Sequence, residues 1–567
     1  MDTSGGRGAA ERAFTAVAVD FLDDRARRHP DQATELGDHR FDGQLPEYSA
    51  AALAAERAAL DGLMARLAVL DTAALAAEDQ LDAGLLDNAL RRRMFELDEL
   101  REPYWNPVTA NPGRAIHKLL VSDFAPLPER LAAVAGRLAG VPAMLAGARE
   151  LLGVMSRVHL ETAISQFGGT IGVVTGEIDA ALRDAPGCAA QIQAVRPTAV
   201  QALTGHRGWL SGRLAESANG GGFADPRIGP ERFARKLSLT LDAAADSDAI
   251  LARAHADLDR VSEQIAELAA GLAGRRAGQG GNGAGRGGNG DPVVREVLGR
   301  LAADAPDDRT ILALCQNALA AQTAFVTGHD LVTVHPDPVE VIEMPEIDRG
   351  VAAAYCDSPG ALETAPIPAY IAVSPTPADW PADRVASFYR EYNRHMLHTL
   401  MTHEAMPGHY LQLQHSRRFS GSSTPLRAVL RSGSFVEGWA VYAEELMARH
   451  EYPGEGDPAA VRMQQLKMQL RMVINAILDA RVHARGMTEA EAMTLMTARG
   501  FQEDGEASGK WRRAQLTSAQ LSTYYVGYTE VADLAADLRR RGLSERAAHD
   551  SMLAHGSPPA RLLRELL

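Results

Sequence analysis

Apolar residues recur at spacings of three and four along most of the chain. The segments 51–70 (AALAAERAALDGLMARLAVL) and 126–152 (PLPERLAAVAGRLAGVPAMLAGARELL) are clear examples. This period is typical of helices that bury one face. Proline and glycine mark the short loops between such segments, and the helical pattern returns from residue 383 onward. We therefore predict a mainly α fold.

Two segments interrupt this pattern. Residues 274–291, GRRAGQGGNGAGRGGNGD, are dominated by glycine and contain no apolar anchor, so we predict a flexible Gly-rich surface loop there. No strand pattern precedes the segment and no Gly-Lys-Ser/Thr follows it, which argues against a phosphate-binding loop. The segment separates an N-terminal helical region, 1–273, from a catalytic helical region, 292–567, and we expect both regions to form one continuous fold.

The second interruption lies at 331–375, where LVTVHPDPVEVIEMP and PIPAYIAVSP are rich in β-branched residues and proline. These segments predict a small β element of short strands just before the helix that carries the candidate chemistry. An extended edge at this place could pair with a peptide substrate, and a connecting hairpin explains the same pattern.

The composition narrows the class of protein. The 567 residues carry 58 basic and 73 acidic side chains, a formal net charge of -15, so we expect neither nucleic acid nor an anionic membrane surface as a partner. Three widely spaced cysteines form no Cys-x-x-Cys site and suit a reducing compartment. The N-terminus does not read as a signal peptide, and no uninterrupted apolar run reaches about 18 residues. We expect a cytoplasmic protein.

Candidate chemistry concentrates in HEAMPGH, residues 403–409. The familiar zinc-binding helix places two histidines four residues apart, whereas His403 and His409 are six apart. In a regular helix the second imidazole would lie roughly 120° around the axis from the first. Pro407 lacks the N–H that would bond to the carbonyl four residues back, and Gly408 tolerates unusual dihedral angles. We therefore predict a kinked or widened turn that brings both imidazoles to one metal ion.

A second motif, SFVEGWAVYAEEL at 434–446, supplies carboxylates. Glu437 and Glu444 are seven residues apart and so share one face of a helix. Two histidines and one glutamate leave a fourth position open, which is the arrangement of catalytic zinc. We therefore predict Glu437 as the third metal ligand and Glu444 as a hydrogen-bond acceptor for a ligand histidine. Glu404, next to His403, is then placed to accept a proton from water.

Two later segments offer groups that could stabilise a transition state. In ILDARVHARGMT, Asp479 and His483 are four residues apart, so we predict that Asp479 holds the imidazole of His483 while that imidazole donates to an oxyanion. The segment QLSTYYVGYTE offers Tyr524, Tyr525 and Tyr528, and a tyrosine hydroxyl is another common oxyanion donor. The sequence leaves open which of the three tyrosines faces the metal.

These motifs resemble those of the DUF885 family of bacterial proteins, which is similar to the helical zinc metallopeptidases of the gluzincin type. The resemblance rests on HEAMPGHYLQ, FVEGWAVYAEEL, DARVH and STYYVG, and on RRHPDQATELGDHRFDGQLPEYS near the N-terminus, so it spans nearly the whole chain. It implies a large two-lobed helical fold around a deep catalytic cleft. The implied zinc ligands are His403, His409 and Glu437, the implied base is Glu404, and the implied transition-state partners are Tyr524 and His483.

The chain departs from the family pattern at positions that leave these ligands unchanged. Asn475 stands where the resemblance implies an arginine, and Arg481 stands where it implies a glycine. The segment AYCDSPGALETAPIPAYIAVSP at 354–375 also differs from the Gly-rich, Arg-containing form that the resemblance implies. These positions fall near the implied substrate cleft, so the resemblance does not extend to a substrate class.

The leading hypothesis is a hydrolase that uses one zinc ion and Glu404 as general base to cleave an amide bond in a peptide or a peptide-like small molecule. Two alternatives stay open. Two histidines and one carboxylate also form the metal set of non-haem iron oxygenases, although those sites usually lie in a β-barrel. A binding protein without catalysis is the other alternative, although it would not need Glu404. The candidates for binding a substrate terminus are Arg471, Arg481, Arg512 and Arg513.

Overall fold

The computed structural model describes residues 3–274, 291–345, 349 and 352–567. Helices with short connections make up most of this part of the chain, and its strands form one three-stranded sheet. The prediction of a mainly α fold with a small β element is confirmed. The Gly-rich loop predicted at 274–291 lies, except for its two end residues, outside the described residues. The two-lobed cleft stays a prediction.

The chain divides into two compact units, of which unit 1 comprises Met1–Pro226, Pro359–Ile367 and Gly421–Leu430. Its core includes the fully buried side chains of Leu131, Val134 and Leu138. The α-helices of this unit are α1 (Thr3–Arg28), α2 (Pro30–Leu36), α3 (Ala50–Ala68), α4 (Ala77–Phe95), α5 (Gly113–Val121), α6 (Leu127–Leu151), α7 (Arg157–Gly172), α8 (Ile178–Asp184), α9 (Ala189–Glu216) and α17 (Leu426–Val429).

Unit 2 comprises Arg227–Ser358, Pro368–Ser420 and Arg431–Leu567 and contains all the motifs with candidate chemistry. Its α-helices are α10 (Pro230–Thr240), α11 (Ser247–Leu272), α12 (Pro292–Ala302), α13 (Ile311–Gly328), α14 (Ala382–Glu391), α15 (Arg394–Glu404), α16 (His409–Ser416), α18 (Gly433–Arg449), α19 (Pro458–Arg485), α20 (Glu489–Thr494), α21 (Asp504–Leu516), α22 (Leu521–Arg540), α23 (Glu545–Leu553) and α24 (Ala560–Leu563).

The boundary between the units lies at Pro226 and Arg227, so it differs from the division predicted at the Gly-rich segment. The reason is the packing of α11. Its apolar face, which includes Leu258, Val261 and Ile265, is buried in one cluster with the apolar residues of α19. The helical period of such a segment carries no information about the helix it packs against.

Two described helices, α6 and α13, have the length and mean hydropathy of a membrane span. Half of the apolar window of α6 is buried inside the structure, against 28% of the window of α13. Both helices also contribute fully buried side chains to their own unit, such as Leu138 on α6 and Ile311 on α13. Packing in the core of a folded unit therefore explains the apolar length of both helices as well as a membrane span would.

Capping residues fix where the helices of the candidate site begin. The side chain of Asn393 accepts a hydrogen bond from a backbone N–H in the first turn of α15. Ser432 does the same for α18, and Asp457 does so before the proline that opens α19. Helix α19 is followed by Gly486, which adopts a left-handed conformation with φ 67°.

The sheet consists of β1 (Val339–Glu343), β2 (Ala354–Asp357) and β3 (Ala369–Val373), in the order β1-β3-β2. Strand β3 pairs in parallel with β1 and antiparallel with β2, so β2 is an edge strand. The central strand packs into the core through the fully buried Ile371 and Val373. Short strands were predicted in this part of the chain, and the sheet places β2 beside the end of α15.

Helices α18 and α22 approach closely at a pair of glycines. A Cβ atom on Gly438 would overlap the backbone of Gly527, and a Cβ atom on Gly527 would overlap the carbonyl oxygen of Ser434. Only glycine permits this separation, because it has no side chain to hold the backbones apart. The contact matters for the site because Glu437 precedes one glycine and Tyr524 lies one turn before the other.

Replacing Gly527 with alanine should force α18 and α22 apart. Overpacking of this kind costs about 1–3 kcal/mol of folding free energy, and occasionally more. We expect a lower thermal unfolding temperature in calorimetry. Gly433→Ala, at the start of α18, is the matched control because its added Cβ meets nothing within 4 Å. Equal unfolding temperatures for the two variants would contradict this account of the helix contact.

Candidate metal centre

The two histidines of the HEAMPGH motif lie on different helices. Helix α15 ends at Glu404 and α16 begins at His409, with a non-helical connection between them. Ala405 has φ -121° and ψ -81°, and Gly408 has φ -77° and ψ -129°, which breaks the helical path. The predicted kinked or widened turn is therefore a full break between two helices.

Side chains and backbone packed around the break hold its shape. The indole N–H of Trp439, on α18, donates to the carbonyl oxygen of Pro407 at 2.8 Å. A Cβ atom on Gly408 would overlap the carbonyl oxygens of Thr402 and His403, so the last turn of α15 leaves room only for glycine. The Pro-Gly pair thus ends one helix and lets the next start against it.

The break brings the imidazoles of His403 and His409 together. Their ring centroids are 4.6 Å apart, and the rings are nearly perpendicular, with an interplanar angle of 85°. Glu437 on α18 completes the group, because its Oε2 lies 3.5 Å from the Nε2 atom of each histidine. One ligand atom from each of the three residues lies within 4.8 Å of the other two. The sequence predicted these three residues as metal ligands, and the structure places them together.

The three residues fit a zinc ion. Ligands about 2.0–2.2 Å from a tetrahedral zinc ion lie about 3.3–3.6 Å from one another, which matches the 3.5 Å separations. The Oε2 atom of Glu437 is buried and has no hydrogen-bond partner of good geometry among the described residues. Burial raises the pKa of Glu437, but the two imidazoles outweigh burial and hold that pKa well below its usual range. The carboxylate is therefore ionised, as a metal ligand must be.

Glu444 orients one of the candidate ligands. It lies two turns after Glu437 on α18, and its Oε1 is 2.7 Å from the Nδ1 atom of His403. The Glu444 side chain is buried, with 2% of its surface exposed. A carboxylate that accepts from Nδ1–H leaves the lone pair of Nε2 for the metal. The sequence predicted this role for Glu444.

Glu404 lies at the end of α15, directly after His403, and contacts the sheet. The backbone N–H of Cys356, on the edge strand β2, lies close to its carboxylate and acts to lower the pKa of Glu404. Burial raises the pKa of Glu404, and the neighbouring imidazoles of His403 and His409 only partly offset this effect. A carboxylate with a raised pKa beside a metal site is suited to accept and return a proton.

Two of the three candidate tyrosines are bound to carboxylates away from the metal ligands. The hydroxyl of Tyr525 donates to Asp257 at 2.6 Å, and the hydroxyl of Tyr528 donates to Glu445. A carboxylate that accepts from a phenol holds its hydroxyl in place. Neither hydroxyl is therefore available to a substrate in this structure.

Of the three candidate tyrosines, Tyr524 is the one whose pKa is affected by the charge of the metal ligand Glu437. Its hydroxyl accepts a hydrogen bond from Arg513 Nη2 at 3.0 Å, which leaves its own proton for another acceptor. Burial raises the pKa of Tyr524, and the nearby charge of Glu437 raises it further. The phenol is thus protonated at neutral pH and can donate a hydrogen bond.

The predicted pairing of Asp479 with His483 is wrong. Asp479 accepts hydrogen bonds from the backbone N–H groups of residues 519 and 522 and from the hydroxyl of Ser522. The Nε2 atom of His483 lies 2.9 Å from the carbonyl oxygen of Ala514 and 2.8 Å from that of Thr517, and its Nδ1 has no partner among the described residues. Both side chains anchor the connection between α21 and α22. The i,i+4 spacing placed both side chains on one helix face, but it could not show that each of them forms hydrogen bonds with backbone groups.

Lys510, on α21, is a residue that the sequence did not single out. Only 5% of its surface is exposed, and among the described residues its ammonium has no hydrogen-bond or ion-pair partner. The segment DGEASGKWRR, at 504–513, has the composition of an exposed polar helix, which hid the lysine. Among the candidate arginines, Arg471 pairs with Glu506, and Arg481 pairs with Glu491 at 3.2 Å on the exposed surface.

One family model and two solved structures are similar to this chain over nearly its whole length. A family model described as "Bacterial protein of unknown function (DUF885)" matches residues 30–567. A solved structure of a candidate lipoprotein of unknown function from Shewanella oneidensis is 28% identical, with a TM-score of 0.80, and the match covers 98% of this chain and 99% of that chain. A candidate lipoprotein from Colwellia psychrerythraea is 15% identical, with a TM-score of 0.78 and coverage of 99% and 98%, and so shows the fold alone. No curated protein matches the sequence.

Replacing Glu444 with leucine should weaken metal binding without removing a ligand. Loss of a carboxylate that orients a metal-bound histidine typically lowers metal affinity by about 10- to 100-fold. The measurement is the zinc dissociation constant from competition with a chromogenic chelator. Glu445→Leu, one position along α18 but bonded to Tyr528, is the matched control and should keep the wild-type value. Equal affinities for both variants would show that Glu444 does not orient a ligand.

Proposed function

This chain belongs to the DUF885 family, and we propose that it is a zinc-dependent hydrolase that cleaves an amide bond in a peptide or a peptide-like small molecule. One observation carries the proposal. His403, His409 and Glu437 converge on one point, while Glu404 lies beside them without being part of the ligand group. Three ligands and a separate carboxylate are what metal-assisted hydrolysis requires.

The metal supplies part of the chemistry. A zinc ion held by His403, His409 and Glu437 would act as a Lewis acid on a scissile carbonyl and on a water molecule. Glu404 takes the proton from the attacking water and returns it to the leaving amine. The nearby N–H of Cys356 favours the ionised form of the carboxylate, which is the form that accepts the proton.

Tyr524 is suited to stabilise negative charge on the carbonyl oxygen. The hydrogen bond from Arg513 polarises its hydroxyl toward donation, and its raised pKa keeps it protonated. A donor already fixed where charge develops stabilises a transition state without reorganising. His483 has no part in the proposal, because backbone carbonyls already engage its imidazole.

Strand β2 suggests how a peptide would bind. It is an edge of the sheet, and its Cys356 contacts Glu404, so an extended peptide paired with β2 would pass the base. Pairing with an edge strand is a common way to bind extended peptides. The two-lobed cleft and the kinship to gluzincin-type metallopeptidases belong to this proposal. A cytoplasmic location stays a prediction from the sequence, and cell fractionation tests it.

The proposal is tested with zinc-loaded protein and a mixed peptide library read by mass spectrometry. We expect cleavage by the wild type and a loss of about 10²- to 10⁴-fold in rate for Glu404→Gln, because a general base contributes that much. Zinc content should be the same in both proteins. Glu445→Gln is the matched control and should cleave at the wild-type rate.

Two outcomes would contradict the proposal. Full activity of Glu404→Gln would remove Glu404 from the mechanism. Oxygen consumption by the iron-loaded protein, without peptide cleavage by the zinc-loaded protein, would favour the oxygenase alternative instead.

A further inference from the structure

Lys510 is a buried lysine near the metal centre that forms no direct ion pair among the described residues. Lys467, a second buried lysine, forms an ion pair with Glu391 at 2.9 Å. Lys510 is equally buried, yet among the described residues its ammonium has no ion-pair or hydrogen-bond partner. The negative charges of Glu506 and Glu437 act on this ammonium without a direct contact, and they only partly offset the cost of its burial.

Other cations lie around Lys510. The positive charge of Arg471, on α19, lowers the pKa of the Lys510 ammonium, and Arg513 lies one turn further along α21. Glu506, one turn earlier on α21, is already engaged by Arg471. Arg513 donates to Gln520 and to the hydroxyl of Tyr524 but has no carboxylate partner in the part of the chain that the structure describes. The group therefore carries an excess of positive charge.

This cationic group, which consists of Arg471, Lys510 and Arg513, lies beside the metal centre. The negative charge of Glu437 acts to raise the pKa of the Lys510 ammonium and also that of the Tyr524 phenol. Arg513 contacts Tyr524 directly, at 3.0 Å. A metal ion on Glu437 would offset the negative charge of that carboxylate, which favours binding of an additional anion beside Lys510.

We propose that Lys510, assisted by Arg513, binds a carboxylate of the substrate, so that the enzyme acts on peptides with a free carboxylate close to the scissile amide bond. This inference rests on the proposed function, because it places the substrate at the metal centre. Burial and the charge of Arg471 lower the pKa of Lys510, and a bound carboxylate would act in the opposite direction. Charge-assisted hydrogen bonds to a carboxylate are among the stronger polar contacts in proteins.

A carboxylate near the scissile bond has two sources. It is either the C-terminal carboxylate of a short peptide or the side chain of an aspartate or glutamate. The same subsite chemistry binds both, so the probes must separate them.

The test measures binding rather than turnover, with the full chain loaded with zinc. The probes are N-mercaptoacetyl-alanine and its carboxamide, whose thiol binds zinc and whose other end differs only in charge. In isothermal titration calorimetry we expect the acid to bind about 10- to 100-fold more tightly than the amide, as one charged hydrogen bond allows. Lys510→Met should bring the ratio of the two dissociation constants close to one. Lys467→Met, the matched control, should keep the wild-type ratio.

Each other outcome has a defined meaning. If neither probe binds, the metal centre and the proposed function fail together. If both bind with equal affinity to the wild type, the metal centre stands and the carboxylate subsite is wrong. A second pair, N-mercaptoacetyl-glutamate α-amide and N-mercaptoacetyl-glutamine α-amide, identifies the source: discrimination within this pair alone assigns the subsite to an acidic side chain, and discrimination within the alanine pair alone assigns it to a C-terminus.

Thermal unfolding provides a second, independent check. Lys510→Met removes an unpaired buried charge, so its unfolding temperature should equal or exceed that of the wild type. Lys467→Met leaves Glu391 buried without its partner, so its unfolding temperature should fall. A fall of the same size in Lys510→Met would show that the lysine stabilises the fold and would overturn the subsite.

Discussion

The break between α15 and α16 is the constraint on which the candidate site depends. Six residues separate the two histidines, and in a continuous helix they would face different directions. The chain ends α15 at Glu404, packs Gly408 against the carbonyl oxygens of the preceding turn, and restarts the helix at His409. The spacing that looked wrong for a metal motif is therefore what a two-helix site requires.

Helix α18 connects this break to the rest of the site. Trp439 binds the carbonyl of Pro407, Glu437 faces both imidazoles, and Glu444 holds one of them. Gly438, between Glu437 and Trp439, lets α22 approach closely enough to carry Tyr524 into the same region. One helix thus sets the positions of a ligand, an orienting carboxylate and a neighbouring helix. A small displacement of α18 would disturb all three.

Sequence analysis predicted the features that depend on local patterns of residues. Helical periodicity gave the mainly α fold, β-branched runs gave the strands, and the spacing of Glu437 and Glu444 placed both on one helix face. It could not show which groups meet in space. From the sequence alone the three tyrosines were equivalent, whereas in the structure Asp257 and Glu445 accept hydrogen bonds from two of them. The sequence also could not show that backbone carbonyl oxygens bind the imidazole of His483. Lys510 was missed because burial of a polar helix depends on packing between α19 and α21, which leaves no local signal.

Metal content tests the central claim most directly, namely that the break closes two histidines six residues apart around a metal. Elemental mass spectrometry of the purified wild type and His409→Ala is the measurement, with His415→Ala as control, because His415 lies on the same helix but its Nε2 binds the carbonyl of Thr333 at 2.7 Å. We expect about one zinc ion per chain in the wild type and the control, and a loss of zinc in His409→Ala. Zinc retained in His409→Ala, or no metal in any of the three proteins, would contradict the account.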